Sequence, residues 1–200
     1  MTRILLIRHG HTEPLGRVLY GRTPGVHLSE QGTQETTRLA SALRERYKID
    51  DIVASPMDRT KETAEVIAAA QKQRVVFDDD LQEIDFGEWM GKSFSDLGDD
   101  EQWKQYNRNR SLNPAPGGEY MLEVQLRAWK ALQRIMASRR IYPETTVAVV
   151  SHGDVVRALL MLFLGIPLDN IHRLEVWPAS VSEVILGQAY PQVITMNQTF

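Results

Sequence analysis

The 200-residue chain is 42% hydrophobic and 24% charged with a formal charge of -3, the profile of an ordinary globular domain long enough to bury one full core. That mild acidity leaves no basic footprint for nucleic acid, and the longest apolar stretch, Ala158 to Ile166, is broken by Gly165 and falls far short of the ~20 residues that cross a bilayer. With no cysteine, disulfides, thiolate zinc sites and cysteine nucleophiles are all excluded, so covalent chemistry must use another atom.

Ile4-Leu5-Leu6-Ile7 is a continuous apolar run bounded by Arg8-His9-Gly10. It reads as a buried strand that delivers a histidine to its carboxyl end, where α/β sheets bind their ligands. The few apolar residues after Arg3 are too short a run for a signal-peptide core, so a cytoplasmic location is expected. A loop from Gly10 to Leu28 follows, and Ser29 caps a helix with Thr36, Leu39, Ala40, Leu43 and Tyr47 on its apolar face. Asp51 to Ala54 reads as a second strand, Ser55-Pro56 leads into a helix with Thr60, Ala64, Ile67 and Ala68 on one face, and Val75 to Phe77 is a third strand. Asp78-Asp79-Asp80 reads as a solvated turn, and His27 and His172 as surface or loop residues.

Between Gly91 and Gly118 the chain changes character, with acidic clusters, Trp103, Tyr106, Arg108 and Arg110, and the run Asn113-Pro114-Ala115-Pro116-Gly117-Gly118. Residues 92–116 are expected to form a cap over the site within a single domain spanning 1–200. Leu122, Leu126, Trp129, Leu132 and Met136 recur at helical spacing, Val147 to Val150 runs as a strand into Ser151-His152-Gly153, a helix covers Asp154 to Leu164, and Leu174 to Leu186 is expected to supply closing strands. The alternation predicts an α/β three-layer sandwich, a mostly parallel central sheet with helices on both faces.

Four patterns stand in one order: Arg8-His9-Gly10-His11-Thr12, the run from Ser55 through Arg59 to Ala64, the run from Leu81 through Glu83 to Trp89, and Val150-Ser151-His152-Gly153-Asp154 through Arg157. With Pro116-Gly117-Gly118-Glu119 as a fifth, they resemble the histidine phosphatase, or phosphoglycerate mutase-like, family over most of the chain. Phosphoryl transfer needs an in-line nucleophile, positive charge around the equatorial oxygens and an acid for the leaving oxygen. Neutral His9 can attack phosphorus, the forked donors of Arg8 and Arg59 can clamp its oxygens, and His152, cationic or hydrogen-bonding, can add to that field. Glu83 is the candidate general acid. The resemblance implies the same roles, with phosphohistidine at His9.

Thr12, Gly21, Arg22, Gly153, Trp103 and Arg108 are the expected substrate contacts, and Gly10 and Gly153 allow close backbone approach. No metal and no cofactor are expected, because two arginines and a histidine already supply the neutralising charge. Ser151-His152-Gly153-Asp154 holds the residue types of a hydrolase triad but lacks a nucleophile elbow. Many family members follow the first motif's Thr-Glu with a Trp-Asn pair that reaches the substrate phosphate. Pro14 and Leu15 stand there, with Arg17, Tyr20 and Arg22 nearby as replacements.

The family's cofactor-dependent mutases carry a long basic insertion before the Pro-Gly-Gly-Glu signature, whereas only Glu88 to Ala115 intervenes here. That implies metal-independent hydrolysis of a small phosphate monoester, with phosphoglycerate mutase as the alternative and a non-catalytic phospho-ligand module as a third reading. The expected partner is a small-molecule phosphate ester, with no nucleic acid and no membrane, in a monomer or homodimer.

Overall fold

The computed structural model describes residues 1–138, 145–187 and 190–200. Strand β1 (Thr2–Arg8) buries Ile4 to Ile7 on both faces, which is why that segment is continuously apolar. Helix α1 (Glu30–Arg46) starts where the Ser29 hydroxyl accepts from the Gly32 amide, a cap worth about 1 kcal/mol. Thr36, Leu39, Ala40 and Leu43 form its buried face, while Tyr47 lies one step beyond it in extended backbone. Strand β2 (Asp51–Ala54), helix α2 (Asp58–Gln71) and strand β3 (Val75–Phe77) follow, and α2 ends at Lys72 in the left-handed conformation. Two short helices, α3 (Phe94–Gly98) and α4 (Glu101–Arg108), occupy the expected cap segment. They precede α5 (Met121–Ser138), β4 (Thr145–Ser151) and α6 (Gly153–Leu164), and the chain closes with β5 (Val181–Leu186) and β6 (Gln192–Gln198).

The sheet order is β3-β2-β4-β1-β5-β6, with the first four strands parallel, β5 antiparallel to β1 and β6 antiparallel to β5. Alternate residues serve opposite layers. Ile4, Leu6, Val147 and Val149 face one core with Val124, Ala128, Leu132 and Leu159, whereas Leu5, Ile7, Ala148 and Val150 face the other with Leu39, Leu43 and Ile67. The three-layer α/β sandwich with a mostly parallel sheet is therefore what this chain forms.

Two details depart from the sequence expectation. The buried face of α5 is Met121, Val124, Ala128, Ala131, Leu132 and Ile135, while Leu122 and Leu126 are exposed. Two apolar stripes run along this helix, and the one carrying the small Ala128 and Ala131 lets it approach α6 closely. The segment from Leu174 is loop until Val181, and the second closing strand is β6, which pairs with β5 at the sheet edge. Its residues are mostly half-exposed or exposed, so it has no apolar run to announce it.

Candidate active site

Strands β1 and β4 are parallel neighbours in a register that pairs Arg8 with Ser151. The residues just past both strand ends are therefore brought side by side. The His9 amide donates to the Ser151 carbonyl at 3.0 Å, and the His9 and His152 rings meet edge to face with centroids 5.3 Å apart. Arg59, the second residue of α2, enters between them from the neighbouring βα turn. Its Nε donates to His9 Nε2 at 3.3 Å, and its Nη2 donates to the Gly21 carbonyl at 2.7 Å and to His152 Nδ1 at 3.1 Å. Ser55, just past β2, completes the set with its hydroxyl 2.8 Å from His152 Nε2.

These bonds set the tautomers. His9 Nδ1–H donates to the Gly10 carbonyl at 2.7 Å, which leaves the lone pair on Nε2 facing the arginines. His152 accepts from Arg59 at Nδ1, so its proton sits on Nε2 toward Ser55. Burial, reinforced by the Arg59 charge, pushes both imidazoles well below the ordinary histidine range. Both are neutral at pH 7. Of the two expected roles for His152, hydrogen bonding is the one this geometry gives, and the positive field comes from the arginines.

Arg8 is fixed by a 2.7 Å bond from Nη1 to the Val176 carbonyl, while its Nε is buried without a partner among the described residues. Arg59 Nη1 is likewise buried and unpaired, with Arg59 itself fully buried. Arginine stays protonated here despite the lowering effect of burial, and desolvating a guanidinium costs several kcal/mol. Each arginine thus keeps one idle donor that a phosphoryl group could satisfy.

Glu83 lines the same cavity as His9. Burial, then the negative charge of Asp154, raises its carboxyl to about 7, so it carries a proton for a large share of the time at neutral pH. Its backbone carbonyl accepts from Arg22 Nε at 2.7 Å and Arg127 Nη2 at 3.1 Å, and both arginines are ion-paired to Glu119. The Pro-Gly-Gly-Glu signature thus braces the acid. A Cβ on Gly118 would stand 2.3 Å from the Asp85 carbonyl oxygen, which restricts that contact to glycine.

Asp154, at the start of α6, accepts from Arg110 at 2.7 Å and from Arg157 at 3.1 Å. This pairing holds its carboxyl far below the usual range although the site is buried. Arg110 lies just beyond α4, so the ion pair ties the cap segment to the core.

The cavity, about 140 Å³, is lined by Arg8, His9, Glu83, Gly153, Asp154 and Arg157 and by the apolar Leu15, Val18, Leu19, Phe86 and Phe94. Of the five residues expected to be catalytic, Arg8, His9 and Glu83 line it, and Arg59 and His152 are buried against His9. The expected substrate contacts divide. Gly153 lines the cavity, and so does Gly21, whose φ of +42° and crowding against Phe86 suit only glycine. Thr12 is buried and donates to the Tyr20 hydroxyl at 3.1 Å, with the Arg59 guanidinium over the Tyr20 ring. Arg22 instead braces Glu83 from behind.

Trp103 packs in an aromatic cluster with Trp89 and Tyr106, and Arg108 is exposed at the end of α4, so neither lines the cavity. Arg17 is exposed as well, and Gly10 packs against α1, where a Cβ would meet the Gly32 carbonyl at 2.6 Å. Asp154, Arg157, Ser55, Leu15 and Phe94 were not singled out as site residues from the sequence. Arg157 stands three residues after Asp154 inside the fourth pattern, which is one helical turn, and that spacing was the available signal.

The sandwich gathers a neutral imidazole, Arg8 and Arg59 at the carboxyl ends of adjacent parallel strands, a geometry suited to holding a phosphoryl group. The profile of the histidine phosphatase superfamily (branch 1) matches residues 4–199, and the chain belongs to that superfamily. It is 36% identical over 183 residues to the bifunctional protein Rv2228c of Mycobacterium tuberculosis, covering 90% of this chain and 49% of that protein. The chain thus spans about half the length of that mycobacterial relative. It is 30% identical to phosphoserine phosphatase 1 of Hydrogenobacter thermophilus, covering 100% of this chain and 93% of that one. Among solved structures, Bacillus stearothermophilus YhfR superposes with a TM-score of 0.91 at 28% identity, covering 100% of this chain and 98% of the other.

Proposed function

We propose that the chain hydrolyses a small phosphate monoester, without metal, through a phosphohistidine at His9 Nε2. The carrying observation is that His9, whose Nε2 lone pair faces Arg59 Nε, lines one cavity with Arg8 and Glu83, and that Arg8 and Arg59 each keep a buried donor without a partner among the described residues. In the first step Nε2 bonds to phosphorus, the ester P–O bond breaks, and the departing oxygen takes the Glu83 proton. In the second step water gives a proton to the Glu83 carboxylate and attacks phosphorus. The N–P bond breaks, phosphate leaves, and both residues return to their starting forms. The two guanidinium groups stabilise the charge on the transferring oxygens throughout, which is the work a divalent ion does elsewhere.

The segment between Glu88 and Ala115 favours hydrolysis over a mutase reaction. Of its four cations Arg110 is buried on Asp154 and Lys104 pairs with Glu101 at the surface, while Lys92 and Arg108 are exposed, and none of the four lines the cavity. A binding module without turnover has no use for a proton-carrying Glu83. No helix among the described residues is long and apolar enough to cross a membrane. A cytoplasmic location, a small-molecule partner and a monomeric or homodimeric state belong to the same proposal.

The test is phosphate release from a panel of phosphomonoesters in the presence of chelator, with His9→Ala alongside. Release by the natural sequence, absence of release by the variant, and a phosphorylated His9 peptide recovered under alkaline quench are expected. Undiminished turnover in His9→Ala would overturn the proposal.

A further inference from the structure

The charges around the leaving-group end of the cavity are already matched to one another. Arg157 gives Nη1 to Asp154 and Nε to the Leu174 carbonyl at 2.9 Å, with Glu175 3.9 Å from its Nη2. Arg110 gives Nη1 to Asp154 and Nη2 to Asn107 at 2.9 Å. The Tyr20 hydroxyl is engaged by Thr12. The rest of the cavity wall consists of Asp154, held by these two arginines, and of the apolar Leu15, Val18, Leu19, Phe86 and Phe94.

A second anionic group on the substrate would be stripped of water against aliphatic and aromatic walls, with the Asp154 carboxylate nearby and the Arg110 and Arg157 guanidinium groups already bonded to it. An uncharged ring or short chain would instead cover the apolar wall and use the faces of Phe86 and Phe94. We infer that this site selects phosphate monoesters whose alcohol portion is uncharged and apolar, aryl-bearing or short alkyl, over those that carry a carboxylate or a second phosphate. The inference rests on the phosphohistidine reading for turnover, but the discrimination itself resides in binding.

Benzyl phosphate, phosphoserine and 3-phosphoglycerate are all primary alkyl esters, so their leaving oxygens are intrinsically alike and the comparison isolates the pocket. kcat/KM for benzyl phosphate is expected to exceed the other two by about tenfold or more. Leu15→Lys, a half-buried loop substitution on the cavity wall, should narrow or reverse that ratio by supplying a cation. Phe94→Ala should lower benzyl phosphate turnover several-fold and leave inhibition by inorganic phosphate as it was. Calorimetric binding to His9→Ala gives the same ranking without chemistry.

Equal or better use of 3-phosphoglycerate or phosphoserine, or equal binding of all three to His9→Ala, would overturn the selectivity. Release from none of the esters together with tighter binding of benzyl phosphate would overturn the hydrolase reading and uphold the selectivity of the pocket.

Discussion

Replacing Asp154 by asparagine keeps the shape of the side chain and removes the negative charge beside Glu83. The Glu83 carboxyl stands at about 7 instead of its ordinary 4.5, a displacement worth about 3 kcal/mol at about 1.4 kcal/mol per tenfold. Burial is the larger cause and Asp154 the next, so the variant should move Glu83 downward without returning it to 4.5. If Glu83 must donate its proton to the leaving oxygen, kcat/KM falls as pH rises through about 7, roughly tenfold per unit beyond it. In Asp154→Asn that basic limb should begin at lower pH, and each unit of movement costs about tenfold in activity at pH 8 and above.

The substitution also weakens the pairing of Arg110 and Arg157, and disrupting a buried pair costs about 3–5 kcal/mol. The assay is therefore the position of the limb in a kcat/KM profile from pH 5 to 9, which does not depend on how much enzyme is folded. Glu83→Gln serves as the profile with no such limb. A basic limb that stays in place or moves to higher pH in Asp154→Asn would refute the reasoning.

Two more expectations come from the same geometry. Folding stability should fall on both sides of a mid-range optimum. Glu83, raised in the fold, contributes stability present below pH 4.5 and lost as pH rises through about 7, while His9 and His152, lowered in the fold, contribute stability present above about 6.5 and lost as pH falls below it. Thermal melts across pH 4 to 9 check this, and a Tm that climbs steadily from pH 5 to 8 in both the natural sequence and Glu83→Gln would contradict the Glu83 half. Arg22→Ala removes a charge-assisted bond to the Glu83 carbonyl, worth about 1.5–3 kcal/mol, and should lower kcat by about 10- to 100-fold with little change in KM. A rise in KM at constant kcat would instead make Arg22 a substrate contact.

The strands and the grouping of the five proposed catalytic residues were legible because their signals are local. A parallel strand buried on both faces must be apolar throughout, and a glycine after its histidine marks the turn into the site, as at His9-Gly10 and His152-Gly153. What the sequence hid is relational. Asp154 and Arg110 meet across 44 positions, and nothing in either neighbourhood names the other. Arg22 looks like an exposed phosphate ligand until the fold shows Glu119 and the back of Glu83 taking its donors. In α5 both apolar stripes have helical spacing, so periodicity could not choose between Leu122 with Leu126 and Val124 with Ala128. Trp103 carried no sign that Trp89 and Tyr106 would claim it.

The pairing of β1 with β4 also dictates when activity can exist during biosynthesis. A nascent chain that has emerged as far as β3 already carries His9 and Arg59, yet the strand that must lie between β1 and β2 has not been made. The two early strands share no hydrogen bonds in the finished sheet, so the first half of the protein cannot complete its sheet alone. The nucleophile is therefore assembled by insertion of a late strand into the centre, a non-local and slow step. On the proposed chemistry, activity reports completed topology: a change that keeps β4 from pairing with β1 separates His9 from His152 and silences the site.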